Sequence, residues 1–242
     1  MPNSPQKTTL LCLHGWGTDR GYFEALQNSL PLQNFEIITF DWPGFGASPK
    51  LEKPWTLEDY ANYLADFIAK NKIENYILLG HSFGGAVAIK AIGSGKINPA
   101  KLILSGASGR RRTTVRIQLF KFMAKIGKSV LSVWPLSIIQ SRGRSLLYRA
   151  ARVHDFLDAK EENLKATFKN VVGEDLSHYF DKITVPTLLL WGSDDNFTPL
   201  ADARFMQSKM PGSQLEVIPG GRHNILKTHA AVCVEKIGGF IK

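Results

Sequence analysis

The chain has 242 residues, 44% of them hydrophobic and 21% charged, an ordinary globular composition at a length suited to one large domain, which excludes disordered and fibrous classes. No run of 18 apolar residues occurs, and the first 15 residues lack the basic segment, apolar core and cleavage site of a signal peptide, so a soluble, cytoplasmic protein is expected. Thirty Lys and Arg against 21 Asp and Glu leave a net charge of +9, whose meaning depends on where it sits.

Short β-branched or Leu-rich runs recur at residues 9–13, 36–40, 76–79, 101–104, 187–191 and 215–218. Continuous apolar runs of this length predict strands buried on both faces. Helical patterns lie between them, at 22–30, at 57–69 with Leu57, Tyr60, Leu64, Phe67 and Ile68 at helical spacing, and at 83–92; two more follow the last strands, at 201–210 and 228–241. Alternating strand and helix predicts an α/β fold built on a mostly parallel sheet. The alternation fails between 105 and 185, where about 80 residues read as helices, so residues 106–184 are expected to form an inserted helical cap. The core is then 1–105 together with 185–242. The two cysteines, Cys12 and Cys233, are too few for a disulfide framework and lack zinc-site spacing, which predicts free thiols.

The charge is not spread evenly. Residues 110–152 hold 11 cations and no acid, leaving 19 cations against 21 acids elsewhere. Within this segment Leu119, Met123, Ile126, Val130 and Trp134 fall on one face of a helix, and Lys121, Lys125 and Lys128 on another. Such a face is a solvated surface, an attractor for an anionic substrate, or a peripheral contact with an anionic membrane. Nucleic acid is not expected as a partner, because no recognition fold or aromatic-basic stripe accompanies the charge. The glycine pattern of a dinucleotide site, the P-loop and His-Glu-x-x-His are all absent from the sequence, so no cofactor and no metal are expected.

The third strand runs into Gly80-His81-Ser82-Phe83-Gly84-Gly85 and then a helix. A serine at a sharp strand-to-helix turn needs neighbours without Cβ atoms so that its Oγ stands clear of the sheet. The first strand ends in His14-Gly15-Trp16-Gly17, the second in Asp41-Trp42-Pro43-Gly44-Phe45-Gly46, the fifth in Trp191-Gly192-Ser193-Asp194-Asp195 leading to Pro199, and the sixth in Pro219-Gly220-Gly221-Arg222-His223.

This set of loops resembles the α/β-hydrolase superfamily over roughly residues 8–105 and 185–242, with Ser, then acid, then His in the superfamily's chain order. The resemblance implies Ser82 as nucleophile, His223 as base and Asp195 as the orienting acid, with Asp194 as the alternative if the acid loop shifts by one residue. It also implies an oxyanion hole from the backbone N–H groups of Trp16 and Phe83. His154 and His178 lie in the insert and His229 inside the predicted last helix, which leaves His223 as the base. His14, His81 and Asp41 read as structural groups. With so few residues before the first strand, six strands are expected, without the two that lead the family's larger sheet. The serine in place of an aspartate argues against dehalogenase and epoxide hydrolase chemistry.

The implied activity is cofactor-free hydrolysis of carboxylic esters with apolar acyl or alcohol parts. A monoacylglycerol-type lipase, a carbon–carbon bond hydrolase of the meta-cleavage type, and a ligand-binding receptor on a hydrolase scaffold remain alternatives, because fold and triad do not name a substrate. Oligomeric state is not legible from the sequence.

Overall fold

Each apolar run becomes a strand because it can bond to neighbours on either side while burying both faces. The computed structural model, which describes residues 8–29, 35–111 and 162–242, places β1 at Thr8–Leu13, β2 at Phe35–Thr39, β3 at Tyr76–His81, β4 at Lys101–Ser105, β5 at Thr187–Gly192 and β6 at Gln214–Ile218. They form one six-stranded sheet in the order β2-β1-β3-β4-β5-β6, with every pairing parallel. The central strands β3 and β5 are buried at every residue, whereas the edge strands β2 and β6 are mostly half-exposed or exposed.

Helices cover both faces. On one side α2 (Leu57–Lys70) and α3 (Phe83–Gly93) close a core that includes Trp42, Tyr60, Leu78, Leu104, Trp191 and Met206. On the other, α1 (Glu24–Ser29) and a C-terminal helix (Ala230–Ile241) close a second core around Leu10, Phe23, Leu79, Leu190 and Ile237. The start of α2 is set by a capping box, in which the Asp59 N–H donates to Thr56 Oγ1 at 3.2 Å and the Thr56 N–H donates to Asp59 Oδ2 at 2.7 Å. β1 lies between β2 and β3, so the chain leaving β1 and the chain leaving β3 diverge. That reversal opens a crevice at the carboxyl ends of these two strands, the place where open parallel sheets bind ligands.

The amphipathic helix expected over 119–134 and most of the expected insert lie outside the described residues. The chain re-enters as α4 (Glu162–Gly173), which three side chains at helical spacing tie to the loop before α2. Asn163 Nδ2 donates to Leu51 O at 2.8 Å, the Trp55 N–H donates to Thr167 Oγ1 at 2.8 Å, and Asn170 Nδ2 donates to Trp55 O at 3.0 Å. Lys90 of α3 adds a second tie, with its Nζ 2.7 Å from Glu174 and 3.3 Å from Glu58. Burial works to lower the pKa of that lysine, but the bonds and charges of Glu174 and Tyr179 together outweigh it and hold the ammonium above its usual range. A 3-10 turn at Ser177–Lys182 then leads into β5, and α5 (Leu200–Lys209) follows β5.

Two predicted helices differ in detail. The first begins as a 3-10 turn at Arg20–Phe23, where the Asp19 side chain accepts from the Gly21 N–H. The last is split into α6 (Ile225–Thr228) and α7 (Ala230–Ile241), because His229 between them has φ −131, outside the helical range. His229 is therefore a junction residue, not one inside a helix.

Thr167 is fully buried and both donates to Asn163 O and accepts from Trp55. Thr167→Val keeps the shape but leaves the Trp55 N–H without its acceptor, which is expected to cost about 1–2 kcal/mol. Urea denaturation should show that loss as a lower midpoint at unchanged slope; an unchanged midpoint would mean the tie between α4 and the loop contributes nothing.

Candidate active site

β3 ends at His81 and α3 begins at Phe83, so Ser82 alone turns the chain. Its backbone sits at φ 51, ψ −111, a region side-chain-bearing residues rarely occupy. Backbone bonds hold it there: the Ser82 N–H donates to Ser105 O at 3.0 Å, and the Ser82 carbonyl accepts from Ser108 at 3.1 Å and Ala86 at 3.1 Å. A Cβ at Gly84 would strike the Leu13 carbonyl of β1, and one at Gly80 would lie 2.7 Å from the Gly85 Cα. The glycines are thus required by close approach of backbone to backbone. Although Ser82 stands at the N-cap position of α3, its side chain makes no capping bond; its Oγ is 2.9 Å from His223 Nε2.

His223 comes from the loop between β6 and α6. Its Nδ1 is 2.8 Å from Asp195 Oδ2. A carboxylate only accepts, so Nδ1 carries the proton and Nε2 is left free to accept from the serine hydroxyl. Asp195 lies in the loop between β5 and α5, where its Oδ1 accepts from the Phe197 N–H at 2.8 Å and the Thr198 N–H at 2.9 Å. Burial of this carboxyl, which is 4% exposed, works to raise its pKa, but the bonds and charge of His223 and the bonds from Thr198 outweigh it and keep the pKa below the usual carboxylate value. Asp194 points elsewhere, accepting from Ser193 Oγ at 2.8 Å. Of the two adjacent acids it is therefore Asp195 that the fold brings to the histidine.

The remaining polar groups of the crevice hold loops. His14 Nδ1 donates to Gly15 O at 2.8 Å and its Nε2 accepts from the Trp42 N–H at 3.1 Å, which joins the loops after β1 and β2. Asp41 joins the same loops, accepting from the Arg20 N–H at 2.7 Å and the Ala47 N–H at 2.9 Å. Burial raises the Asp41 pKa less than these bonds and the Arg20 charge lower it. His81 donates from Nδ1 to Ser105 O at 3.0 Å, stacks on Tyr22 at 4.4 Å and lies 4.9 Å from the His223 ring. Full burial pushes its pKa down to about 3, so it stays neutral under His223.

Trp16 packs edge to face on Phe83 at 5.4 Å, bringing together the two segments that carry the N–H groups expected to form the oxyanion hole. Phe45 lies 4.8 Å from the Trp16 ring and Phe168 of α4 lies 5.1 Å from it. Across the serine, Phe197 is 58% exposed and 5.2 Å from the His223 ring. Aromatic side chains thus cluster beside the serine, with Phe45 and Phe83 buried in the core and Phe197 exposed at the surface. Among the described residues, no group of three or more His, Cys, Asp and Glu is placed to hold a metal ion, and no helix is long and apolar enough to cross a membrane.

The family described as "Serine aminopeptidase, S33" matches residues 4–229 of the chain. The chain belongs to this family. It is, as an S33 member, a hydrolase of the α/β class. The S33 chain is 27% identical to AB hydrolase superfamily protein YisY of Bacillus subtilis, across 88% of its own length and 84% of that protein's. It is also 27% identical to the pimeloyl-(acyl-carrier protein) methyl ester esterase of Neisseria meningitidis, across 100% and 78% of the two chains. An esterase from Exiguobacterium antarcticum has the same fold, with a TM-score of 0.74 at 24% identity over 98% of this chain and 93% of that one.

Two contributors were not singled out from the sequence. Thr198 Oγ1 is 2.9 Å from Asp195 Oδ2; the available signal was a hydroxyl residue three positions beyond an acid, a spacing at which side chain and backbone bond locally. Phe168 carried no such signal, because its place depends on how α4 docks. Since only Asp195 meets His223, Asp195→Asn is expected to lower kcat on a p-nitrophenyl ester by on the order of 10⁴, as an amide favours the wrong imidazole tautomer. Asp194→Asn, with the same charge change next door, should stay within a few-fold of wild type. The larger loss falling on Asp194 would contradict this assignment.

Proposed function

We propose that the protein is a cofactor-free serine esterase acting on carboxylic esters with apolar acyl or alcohol parts. The observation that carries this reading is the relay in which His223 stands 2.9 Å from Ser82 Oγ by Nε2 and 2.8 Å from Asp195 by Nδ1. Ser82 Oγ attacks the ester carbonyl while its proton passes to His223 Nε2, and the Asp195 carboxylate balances the imidazolium that results. The oxygen of the tetrahedral intermediate takes its hydrogen bonds from the N–H groups of Trp16 and Phe83, the second at the start of α3 where the helix dipole also favours negative charge. Collapse expels the alcohol, which takes the proton back from Nε2. A water molecule, deprotonated by His223, then releases the acid from Ser82.

The aromatic cluster of Trp16, Phe45, Phe83 and Phe168 favours an apolar substituent. The family's description raises cleavage of an N-terminal amide instead. That reaction has to attract a substrate ammonium, whereas the sequence segment 110–152 carries 11 cations and no acid. This charge repels an ammonium and supports an ester. Both cysteines are unpaired, which suits a reducing compartment, and we place the protein in the cytoplasm.

A fluorophosphonate probe should label the wild type and not Ser82→Ala, and the variant should keep its fold while retaining under a few per cent of turnover on p-nitrophenyl butyrate. Full activity in Ser82→Ala would overturn the nucleophile, and absence of labelling with tight ester binding would favour a receptor. Faster turnover of aminoacyl p-nitroanilides than of esters would replace the ester reading. A carbon–carbon bond hydrolase would show itself by cleaving a vinylogous diketone faster than any ester, and a lipase by preferring dispersed monoacylglycerol.

We further propose that the basic segment selects surfaces and leaves the chemical step alone. Replacing Lys121, Lys125 and Lys128 with Gln should keep kcat on a short neutral ester within a few-fold. Binding to anionic vesicles should weaken, each basic residue near such a surface contributing roughly 1 kcal/mol, screened by salt over about 8 Å. Equal co-sedimentation of wild type and the triple variant with anionic vesicles at low salt would eliminate the membrane contact.

A further inference from the structure

Asp195 has four lone-pair sites, and all four are taken. Its Oδ1 accepts from the N–H groups of Phe197 and Thr198, at 2.8 and 2.9 Å. Its Oδ2 accepts from His223 Nδ1 at 2.8 Å and lies 2.9 Å from Thr198 Oγ1. Thr198 is the residue that binds both oxygens. Its hydroxyl also lies 3.0 Å from Gly106 O and 3.3 Å from His223 Nδ1. It has one proton to give, and two acceptors compete for it. If the proton went to Gly106, an oxygen lone pair would face the buried carboxylate at 2.9 Å; the bond to the charged acceptor is the stronger one, so the proton goes to Asp195. Gly106 itself has φ +53, and a Cβ there would lie 3.2 Å from both Asp195 Oδ2 and His223 Nδ1, so the end of β4 presses directly on this junction.

We propose that Thr198 is a positioning residue whose hydroxyl holds the carboxylate oxygen that receives the His223 Nδ1 proton, an inference that rests on reading Ser82, His223 and Asp195 as a working triad. Without the hydroxyl, Oδ2 keeps only the histidine as donor, and the carboxylate is free to turn about its remaining backbone bonds. The imidazole it orients then loses its aim at Ser82. The other titratable groups facing this junction are His81, against the His223 ring, and Tyr22, stacked on His81. Burial holds His81 neutral by lowering its pKa to about 3 and holds Tyr22 neutral by raising its phenol, so neither changes charge near neutral pH.

The test compares wild type, Thr198→Val and Thr198→Ser. The substrate-free readout is the downfield proton resonance of His223 Nδ1–H, assigned by its loss in His223→Gln. It should shift or broaden away in Thr198→Val and return in Thr198→Ser. On p-nitrophenyl butyrate, Thr198→Val should lower kcat about tenfold at nearly constant KM, and Thr198→Ser should recover to within about twofold. An unmoved resonance in Thr198→Val overturns the proposal, whether or not the thermal midpoint falls, since a merely structural threonine would change only the latter. If Thr198→Val fails to fold, Thr198→Ala removes the same hydroxyl and is read the same way. Should the wild type cleave no ester, the esterase reading falls while the resonance still decides the role of Thr198.

Discussion

The turn at Ser82 is the constraint from which the rest of the site follows. A single residue must reverse a buried strand into a buried helix, and α3 can pass over the sheet only by laying its first turn against the Leu13 carbonyl of β1. That approach demands glycine at 84, places Ser82 at φ 51, and leaves its Oγ without a capping role. Strain of this kind persists only where surrounding bonds over-determine it. Here they come from Ser105 at the end of β4 and Ser108 in the segment after it, so the strand beside the turn and its continuation supply the restraint. The same geometry puts the serine in the crevice opened by the strand-order reversal between β1 and β3.

Around this turn the charges are sorted by burial. Two further histidines sit close to Ser82 and His223. His14 and His81 are both buried, with burial lowering each pKa, and each donates from Nδ1 to a backbone carbonyl. They serve as neutral braces between loops. Asp195 is equally buried yet stays charged, because its donors outweigh its desolvation. Among the described residues His223 therefore rests on a neutral ring, His81, and bonds one anchored anion, Asp195. Which of these buried groups stays ionised is set by which is given enough donors.

Much of this was legible in the sequence because it depends on local pattern. The six apolar runs became six parallel strands, since a segment buried on both faces has few other places to go. Ser82, His223 and Asp195 each sit just past a strand end, where short Gly-rich loops restrict the backbone, and the structure brings the three side chains into one hydrogen-bonded line. What the sequence left open depends on long-range docking. The choice between Asp195 and Asp194 turned on the register of the loop after β5 against the loop after β6, where the Asp194 N–H donates to Gly221 O at 2.8 Å. The break at His229 is invisible to periodicity, because the apolar positions 225, 226, 233 and 237 continue through it. The ties from α4 to Leu51 and Trp55 span more than 100 residues of sequence and have no local signature.

Those ties bear on how the two parts of the chain divide their work. Ser82, His223 and Asp195 stand on the core, beside loops that His14 and Asp41 sew together. The aromatic cluster beside the serine is composite, with Trp16, Phe45 and Phe83 from the core and Phe168 from α4. Side chains reaching backbone groups hold α4 to the α2 loop, and Lys90 and Glu174 hold its end to α3, so Phe168 is carried to Trp16 by a helix that is itself anchored. Charge acts over about a Debye length and hydrogen bonds over contact distance, so the 11 cations of the segment 110–152 and the line through Ser82, His223 and Asp195 belong to two different ranges of interaction.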